Sequence, residues 1–187
     1  MIEILDDLGV LARADLDPAT LSLAGVPFGA DAAGTLPRGR IIEAGSSIVH
    51  RSIVGTDRIP EYFAADGRRL TLDDVIDSAF VDGGMLYFAG HFSCQIVGSL
   101  VAGFALYGAE RGHLAHFGYL RSYEEFRRTF GPADRTEESR VYGDLLGYHD
   151  YYWRSRKHVY WSADDEDGTG CLSSISIGDY PGNAGPE

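Results

Sequence analysis

The chain has 187 residues, of which 44% are hydrophobic and 24% are charged. This length and balance are typical of one folded domain with a sizeable core, and they exclude a chain that is disordered throughout. The formal charge is -12, from 28 acidic and 16 basic residues. A negative charge of this size repels nucleic acid and favours a basic partner. We therefore interpret residues 1–187 as a single globular domain.

The N-terminal residues do not match an export signal. They include no basic leader, and Asp6 and Asp7 fall where the apolar part of such a signal would lie. Cys94 and Cys171 are too few for a disulfide framework in a chain of this size. These features predict a cytoplasmic protein with reduced thiols.

One uncharged stretch, residues 92–109, approaches the length of a membrane span. Glycines and polar residues interrupt it, and its parts QIVGSL and VAGFALY each suit a strand covered on both faces. We therefore predict a buried strand or pair of strands here, and no membrane segment.

Strand patterns precede and surround this stretch. The alternation within residues 41–63 predicts strands, and Asp66-Gly67 predicts the turn that follows them. Two apolar runs flank Asp82-Gly83-Gly84, whose residues accept the positive φ of a tight turn. This pattern predicts a hairpin over residues 75–92.

The strongest helix signal is RSYEEFRRTFGPADR. Ser122 can cap the helix, Glu125 completes a Ser-x-x-Glu capping box, and Gly131-Pro132 ends it. A spacing of three and four residues places three rings on one side: Tyr123, Phe126 and Phe130. The sequence predicts a helix over 122–130 that docks on a sheet.

Together these patterns predict an α+β fold, a mostly antiparallel sheet with one or two packed helices. A short match between VPFGADA and RTFGPADR suggests two similar helix-plus-hairpin units, in which Phe28 and Phe130 would be equivalent; a chance match is the alternative. Residues 181–187 are predicted to be a flexible tail.

Residues 148–161, YHDYYWRSRKHVYW, read as a hairpin with Arg-Ser-Arg as its turn. Alternation places Tyr148, Asp150 and Tyr152 on one face, and His149, Tyr151 and Trp153 on the other. Rings occur on both faces, so the sequence leaves open which face packs on the helix. The remaining face would be an exposed aromatic surface of the kind found at protein interfaces.

The predicted partner-binding residues are rings of this hairpin and acids around it. They are Tyr148, Tyr151, Trp153 and Tyr160, with Glu137, Glu138, Asp144, Asp164, Asp165 and Asp167. The rings supply contact area at a low entropy cost, and the carboxylates attract a cationic protein. Nucleic-acid binding is disfavoured, because these acids offset the cations of the hairpin.

An enzyme is the alternative class of function. The pairs His91-x-x-Cys94 and His113-x-x-His116 offer side chains that zinc accepts, and Cys94 beside a histidine could be a nucleophile. No CxxC, HExxH, nucleophile-elbow or phosphate-loop motif accompanies them. We predict no catalytic residue, metal or cofactor, with a small hydrolase or metal-dependent enzyme using these four residues as the alternative.

The C-terminal part of the chain resembles a known family. The segment from RSYEEF to SISIGDY has a helix ending in Phe-Gly-Pro-x-Asp, a long aromatic hairpin and a last strand. It resembles immunity proteins of bacterial polymorphic toxin systems, and the same order of elements is similar to the repeated unit of β-lactamase inhibitor protein. The resemblance covers about a third of the chain. It implies a small acidic cytoplasmic inhibitor that binds and occludes a basic toxin or enzyme.

Overall fold

An eight-stranded antiparallel sheet is the centre of the fold. The structure is a computed structural model that describes residues 1–46, 48–54, 59–108, 112–163, 169–180 and 182–185. Numbered in chain order and given in spatial order, the strands are β11 (Arg135–Val141), β12 (Asp144–Tyr152), β13 (Lys157–Ala163), β14 (Gly170–Gly178), β10 (Leu100–Tyr107), β9 (Phe92–Val97), β8 (Gly84–Phe88) and β4 (Ile41–Ser46).

Two small sheets, three α-helices and several 3₁₀ helices surround the large sheet in the described residues. The small sheets are β1 (Ile2–Glu3), β2 (Leu21–Leu23) and β3 (Val26–Pro27), and β5 (His50–Val54), β6 (Ile59–Phe63) and β7 (Arg69–Leu70). The α-helices are α1 (Ala32–Thr35), α2 (Leu72–Asp82) and α3 (Tyr123–Phe130). The α-helices and the 3₁₀ helices together make up 25% of the residues and strands 43%, which confirms the predicted α+β class.

The sheet has two faces of different character, as the strand register shows. One row across seven strands consists of buried residues: Tyr152, Lys157, Ile177, Phe104, Cys94, Leu86 and Ala44. We call this side the inner face. The adjacent row points the other way, on what we call the outer face: Tyr151, His158, Ser176, Ala105, Ser93, Tyr87 and Glu43.

The uncharged stretch over residues 92–109 forms β9 and β10, which pair with each other inside the sheet. This confirms the predicted pair of strands as far as Tyr107, the last residue of β10. In the described part of the chain, no helix combines the length and apolar character needed to cross a bilayer.

Helix α3 begins where the sequence predicts. The Ser122 hydroxyl accepts a hydrogen bond from the backbone N–H of Glu125 at 3.2 Å, and the Glu125 carboxylate accepts one from the Arg121 N–H at 2.8 Å. The acid therefore reaches one residue further back than in the predicted capping box. Phe126 and Phe130 are buried against the inner face, which confirms the predicted docking.

The predicted hairpin over residues 75–92 is wrong. The residues before Gly83 form helix α2, and only the residues after it form a strand of the predicted pair, β8. A capping box starts this helix: the Thr71 hydroxyl accepts from the Asp74 N–H, and the Asp74 carboxylate accepts from the Thr71 N–H. One side of the helix enters the core through Val75, Ile76, Ala79 and Phe80. Gly83, with φ of 84°, ends the helix.

The short Phe-Gly match does not correspond to a structural repeat. Phe28 follows strand β3, whereas Phe130 is the last residue of helix α3. Phe28 packs edge-on against Phe104, with 4.7 Å between ring centroids. Since the two phenylalanines lie in different elements, the predicted pair of equivalent units is not present.

Lys157 ties the N-terminal segment to the inner face. Its side chain is fully buried, and Nζ donates to the carbonyl oxygens of Leu11 at 2.7 Å and Arg13 at 2.9 Å. The amine also lies over the rings of Tyr152 and Phe130, at 4.6 and 5.4 Å from the centroids. Burial lowers the pKa of this amine to about 7.

The hairpin of β11 and β12 ends in a two-residue turn, Tyr142-Gly143. Both residues have positive φ, 52° and 97°, as a type I′ turn requires. Arg140 braces the turn, since Nη1 donates to the Gly143 carbonyl at 2.8 Å and Nε pairs with Glu138 at 2.7 Å. Strand β11 is the edge of the large sheet.

Candidate protein-binding surface

The hairpin predicted over residues 148–161 is present as β12 and β13. Its connection is a short 3₁₀ helix, Trp153–Ser155, followed by Arg156 with a left-handed φ of 45°. Tyr151 lies opposite His158 across the hairpin, and His149 lies opposite Tyr160. The connection contains the predicted Arg-Ser-Arg turn.

The structure determines which face of this hairpin packs on the core. Tyr148, Asp150 and Tyr152 lie on the inner face, and the Tyr148 ring stacks on Tyr123 of α3 with 3.9 Å between centroids. Trp161 is buried beside Phe126, with 5.6 Å between centroids. Tyr148 therefore belongs to the helix-packing side and does not join Tyr151 and Tyr160.

A buried carboxylate fixes the helix to the hairpin. Asp150 accepts hydrogen bonds from the Tyr123 hydroxyl at 2.9 Å, from Arg127 Nη1 at 2.9 Å, and from the Thr136 hydroxyl. The residue is fully buried, so each partner offsets part of the cost of removing its charge from water. This network joins α3, β11 and β12.

A stack of four rings occupies the outer face of the same hairpin. In order they are Tyr151, His158, His149 and Tyr160, with centroid separations of 4.7, 5.1 and 4.5 Å between successive rings. Neighbouring planes are inclined by only 21 to 22°. We call this set the ring stack. All four side chains are half-buried, so part of each ring faces solvent.

The two histidines of the ring stack share a hydrogen bond of 2.9 Å between His149 Nδ1 and His158 Nε2. Burial lowers the pKa of both; that of His158 falls to about 4, with the neighbouring His149 as a second cause. Both rings are thus neutral near neutral pH. The ring stack therefore presents an uncharged aromatic surface.

The predicted acids occupy three different places. Glu137 is on the outer face, where its carboxylate accepts from the Tyr151 hydroxyl at 3.3 Å and pairs with Arg135. Glu138 lies opposite Tyr148 on the other face, and Asp144 is exposed at the start of β12. The other predicted acids, Asp164, Asp165 and Asp167, lie outside the described residues.

The C-terminal segment passes beside the ring stack. A Cβ built on Gly182 would lie 3.0 Å from the Tyr151 ring, and one on Gly185 would lie 2.9 Å from Trp153. Asn183 is buried, and its amide donates to the carbonyl oxygen of Arg156 at 3.0 Å. The described part of the predicted flexible tail, residues 182–185, is therefore held at Asn183, and it borders two of the predicted partner-binding rings.

Sequence reasoning left His149 and His158 out of the predicted partner-binding set. Their positions alternate with buried residues on each strand, so both point outward once the register is known. The outer face also carries Tyr87 and Tyr107, whose rings meet edge-on at 6.4 Å. Small residues on the intervening strands separate this pair from the ring stack.

The residues of the enzyme alternative lie in different environments. Cys94 is buried on the inner face, and burial raises the pKa of its thiol to about 12. His91 is in the turn before β9, while His113 and His116 lie in a 3₁₀ helix. Across the described ranges, no three or more histidine, cysteine or acidic side chains form a group that could hold a metal ion.

Comparison of the chain with protein-family models, with curated proteins and with solved structures finds no match.

Proposed function

We propose that this chain is a cytoplasmic binding protein that inhibits a basic toxin or enzyme by covering part of its surface, as immunity proteins do. The observation that carries this proposal is the ring stack. Its rings lie on the outer face, away from the buried core, and remain half-exposed. Tyrosine and histidine rings held at a surface in this way suit a protein interface better than they suit packing.

The hairpin that bears the ring stack is held firmly from the other side. Asp150, the Tyr148–Tyr123 stack and the buried Lys157 all attach its inner face to the rest of the fold. Rings held in place before binding lose little side-chain entropy on association. This support favours a binding surface that is preorganised for its partner.

Charge supports a basic protein as the partner. The chain carries -12 overall, and Glu137 lies beside the ring stack. Two nearby cations have acidic partners, Arg135 with Glu137 and Arg156 with Asp179 at 2.8 Å. Such an arrangement attracts a cationic protein surface and offers little to a phosphate backbone.

The enzyme alternative has weaker support. A buried thiol whose pKa is raised to about 12 is a poor nucleophile at neutral pH. Of the histidines named for that role, His91 lies in a turn, and His113 and His116 lie in a 3₁₀ helix. Binding is the function that the described side chains favour.

The test is to express the reading frames adjacent to this gene one at a time in a bacterial host, with and without this chain. We expect one product to stop growth, the chain to restore growth, and the purified pair to associate more slowly as salt is added. If none of the adjacent products is neutralised or bound, the proposal is wrong.

A further inference from the structure

The turn between β11 and β12 carries an unusually exposed tyrosine. Tyr142 has a relative exposure of 102%, the highest among the large hydrophobic side chains of the described residues. Val141 and Leu146, on either side of the turn, are 46% and 37% exposed. The end of this hairpin is therefore an apolar projection.

The backbone conformation at position 142 is energetically unfavourable for a tyrosine. Its φ of 52° is left-handed, a conformation that glycine, asparagine and aspartate adopt much more readily than an aromatic residue. Type I′ turns accordingly favour Asn-Gly or Gly-Gly at these positions. Since the ring is uncovered, neither the turn nor the core accounts for a tyrosine here. Strain of this kind is characteristic of functional positions.

The projection is held in a fixed relation to the ring stack. Arg140 donates to the Gly143 carbonyl at 2.8 Å and pairs with Glu138, which fixes the turn. The Tyr160 hydroxyl donates to the Leu146 carbonyl at 3.1 Å. The last ring of the stack is thus bonded to the strand that leads from the turn, so both can meet one partner surface together.

We propose that Tyr142 is an anchor residue that inserts its ring into an apolar cleft of the basic partner, with Val141 and Leu146 against the walls of the cleft. This inference rests on the proposed function and names the part of the surface that enters the partner.

Shape and charge indicate what kind of partner would receive the Tyr142 ring. A projection needs a concave receptor, and a basic protein supplies a cationic rim for Glu138 and Asp144, which lie close to the turn. A second copy of this chain, or an anionic bilayer, would meet the charge of -12 with charge of the same sign.

The experiment places p-benzoylphenylalanine at position 142 in the cell that makes the protein and irradiates it. The matched control has the same amino acid at Tyr119, which is 62% exposed and lies outside this hairpin. We expect one protein adduct at 142 that is absent at 119, with a basic partner crosslinked inside a cleft.

The partner identified by mass spectrometry is then purified for binding measurements. Tyr142→Asn, which suits the left-handed turn, should bind at least about 30-fold more weakly while melting at the same or a higher temperature. Tyr142→Phe, which keeps the ring, should bind as the natural chain does.

The inference is overturned by the lack of an adduct specific to position 142, by an adduct with a second copy or with lipid, or by unchanged affinity of Tyr142→Asn. It is equally overturned if the loss of binding accompanies a lower melting temperature and Tyr142→Phe shares that loss. An adduct with a partner that binds through Tyr142 but is not inhibited would support the anchor and refute the proposed function.

Discussion

His149 Nδ1 and His158 Nε2 lie 2.9 Å apart on the outer face, close enough to share one proton. A histidine nitrogen can accept only when its ring is neutral, so this contact fails if both rings are charged. Burial is the main reason that the pKa of each ring is lowered. The hydrogen bond between the two histidines of the ring stack therefore depends on pH.

Acidification should destabilise the fold through this pair. Unfolded histidine takes up a proton near pH 6.5, whereas folded His158 stays neutral until its pKa of about 4. Unfolding then binds protons, so the free energy of unfolding should fall by about 1–2 kcal/mol from about pH 7 to about pH 5. Urea titrations at both values measure the change. An equally steep fall in His158→Gln would contradict this cause.

Lys157 should make the free energy of unfolding rise further above neutral pH. Its pKa is lowered from 10.5 to about 7, so above pH 7 the unfolded amine is charged and the folded amine is neutral. Stability should rise by about 2 kcal/mol between about pH 7 and about pH 9. Chemical denaturation of the natural chain and of Lys157→Met, in which the rise should vanish, measures this. The same rise in both proteins would assign it to another group.

Asp150→Asn should loosen the attachment of α3 to the hairpin. The change leaves Arg127 without its carboxylate partner, at a site where the aspartate is fully buried. We expect the free energy of unfolding to fall by about 2–3 kcal/mol. Asp144→Asn is the matched control, because Asp144 is exposed, and it should change stability by about 0.5 kcal/mol at most. Equal losses in both variants would refute the role of the network.

The two cysteines should differ in reactivity. Cys171 is exposed, whereas Cys94 is buried with its pKa raised to about 12. A thiol reagent at neutral pH should modify Cys171 in the native protein and Cys94 only after unfolding. Mass spectrometry after timed labelling distinguishes the two sites. Rapid native labelling of Cys94 would revive the thiol-enzyme alternative.

Binding kinetics should separate the rings from the acids. With the partner obtained by co-expression, Tyr151→Ala or Tyr160→Ala should hasten dissociation by roughly 2 kcal/mol or more, if the variant remains folded. Neutralising Asp164, Asp165 and Asp167 together should slow association and weaken its dependence on salt. Tyr119→Ala is the matched ring control and should leave both rates unchanged.

Unaltered kinetics in every ring and acid variant would place the binding surface elsewhere on the protein. Trp153→Ala adds a separate check, since this ring lies against the C-terminal segment near Gly185. A large loss of stability in that variant would show that the tryptophan mainly supports the fold.

The elements that the sequence predicted correctly depend on local signals. Helix α3 has a serine cap and rings spaced for one face, and β12 and β13 alternate around a short connection. Helix α2 was missed because its apolar residues and the following glycines also fit a hairpin. The signal that would have found it is Thr71-x-x-Asp74, in which aspartate takes the place of the usual glutamate or glutamine.

The candidate site was predicted only in part because burial depends on distant residues. Nothing local shows that Lys157 reaches the carbonyl oxygens of Leu11 and Arg13, far away in the sequence. That contact, and the packing of α3 on Trp161, determine which hairpin face is inner. Tyr148 could not be assigned to the helix side without them.

Strand β11 has a consequence for how copies of this protein meet at high concentration. The backbone N–H and C=O groups of β11 that point away from β12 form the edge of the sheet. Strand β11 of another copy could form hydrogen bonds with this edge. Antiparallel alignment would set Glu138 against itself or, one step over, Glu137 against Glu138 and Arg135 against Arg140. Like charges thus discourage stacking into fibres. Replacing both glutamates with glutamine would remove the glutamate repulsion from this edge and leave only that of Arg135 against Arg140.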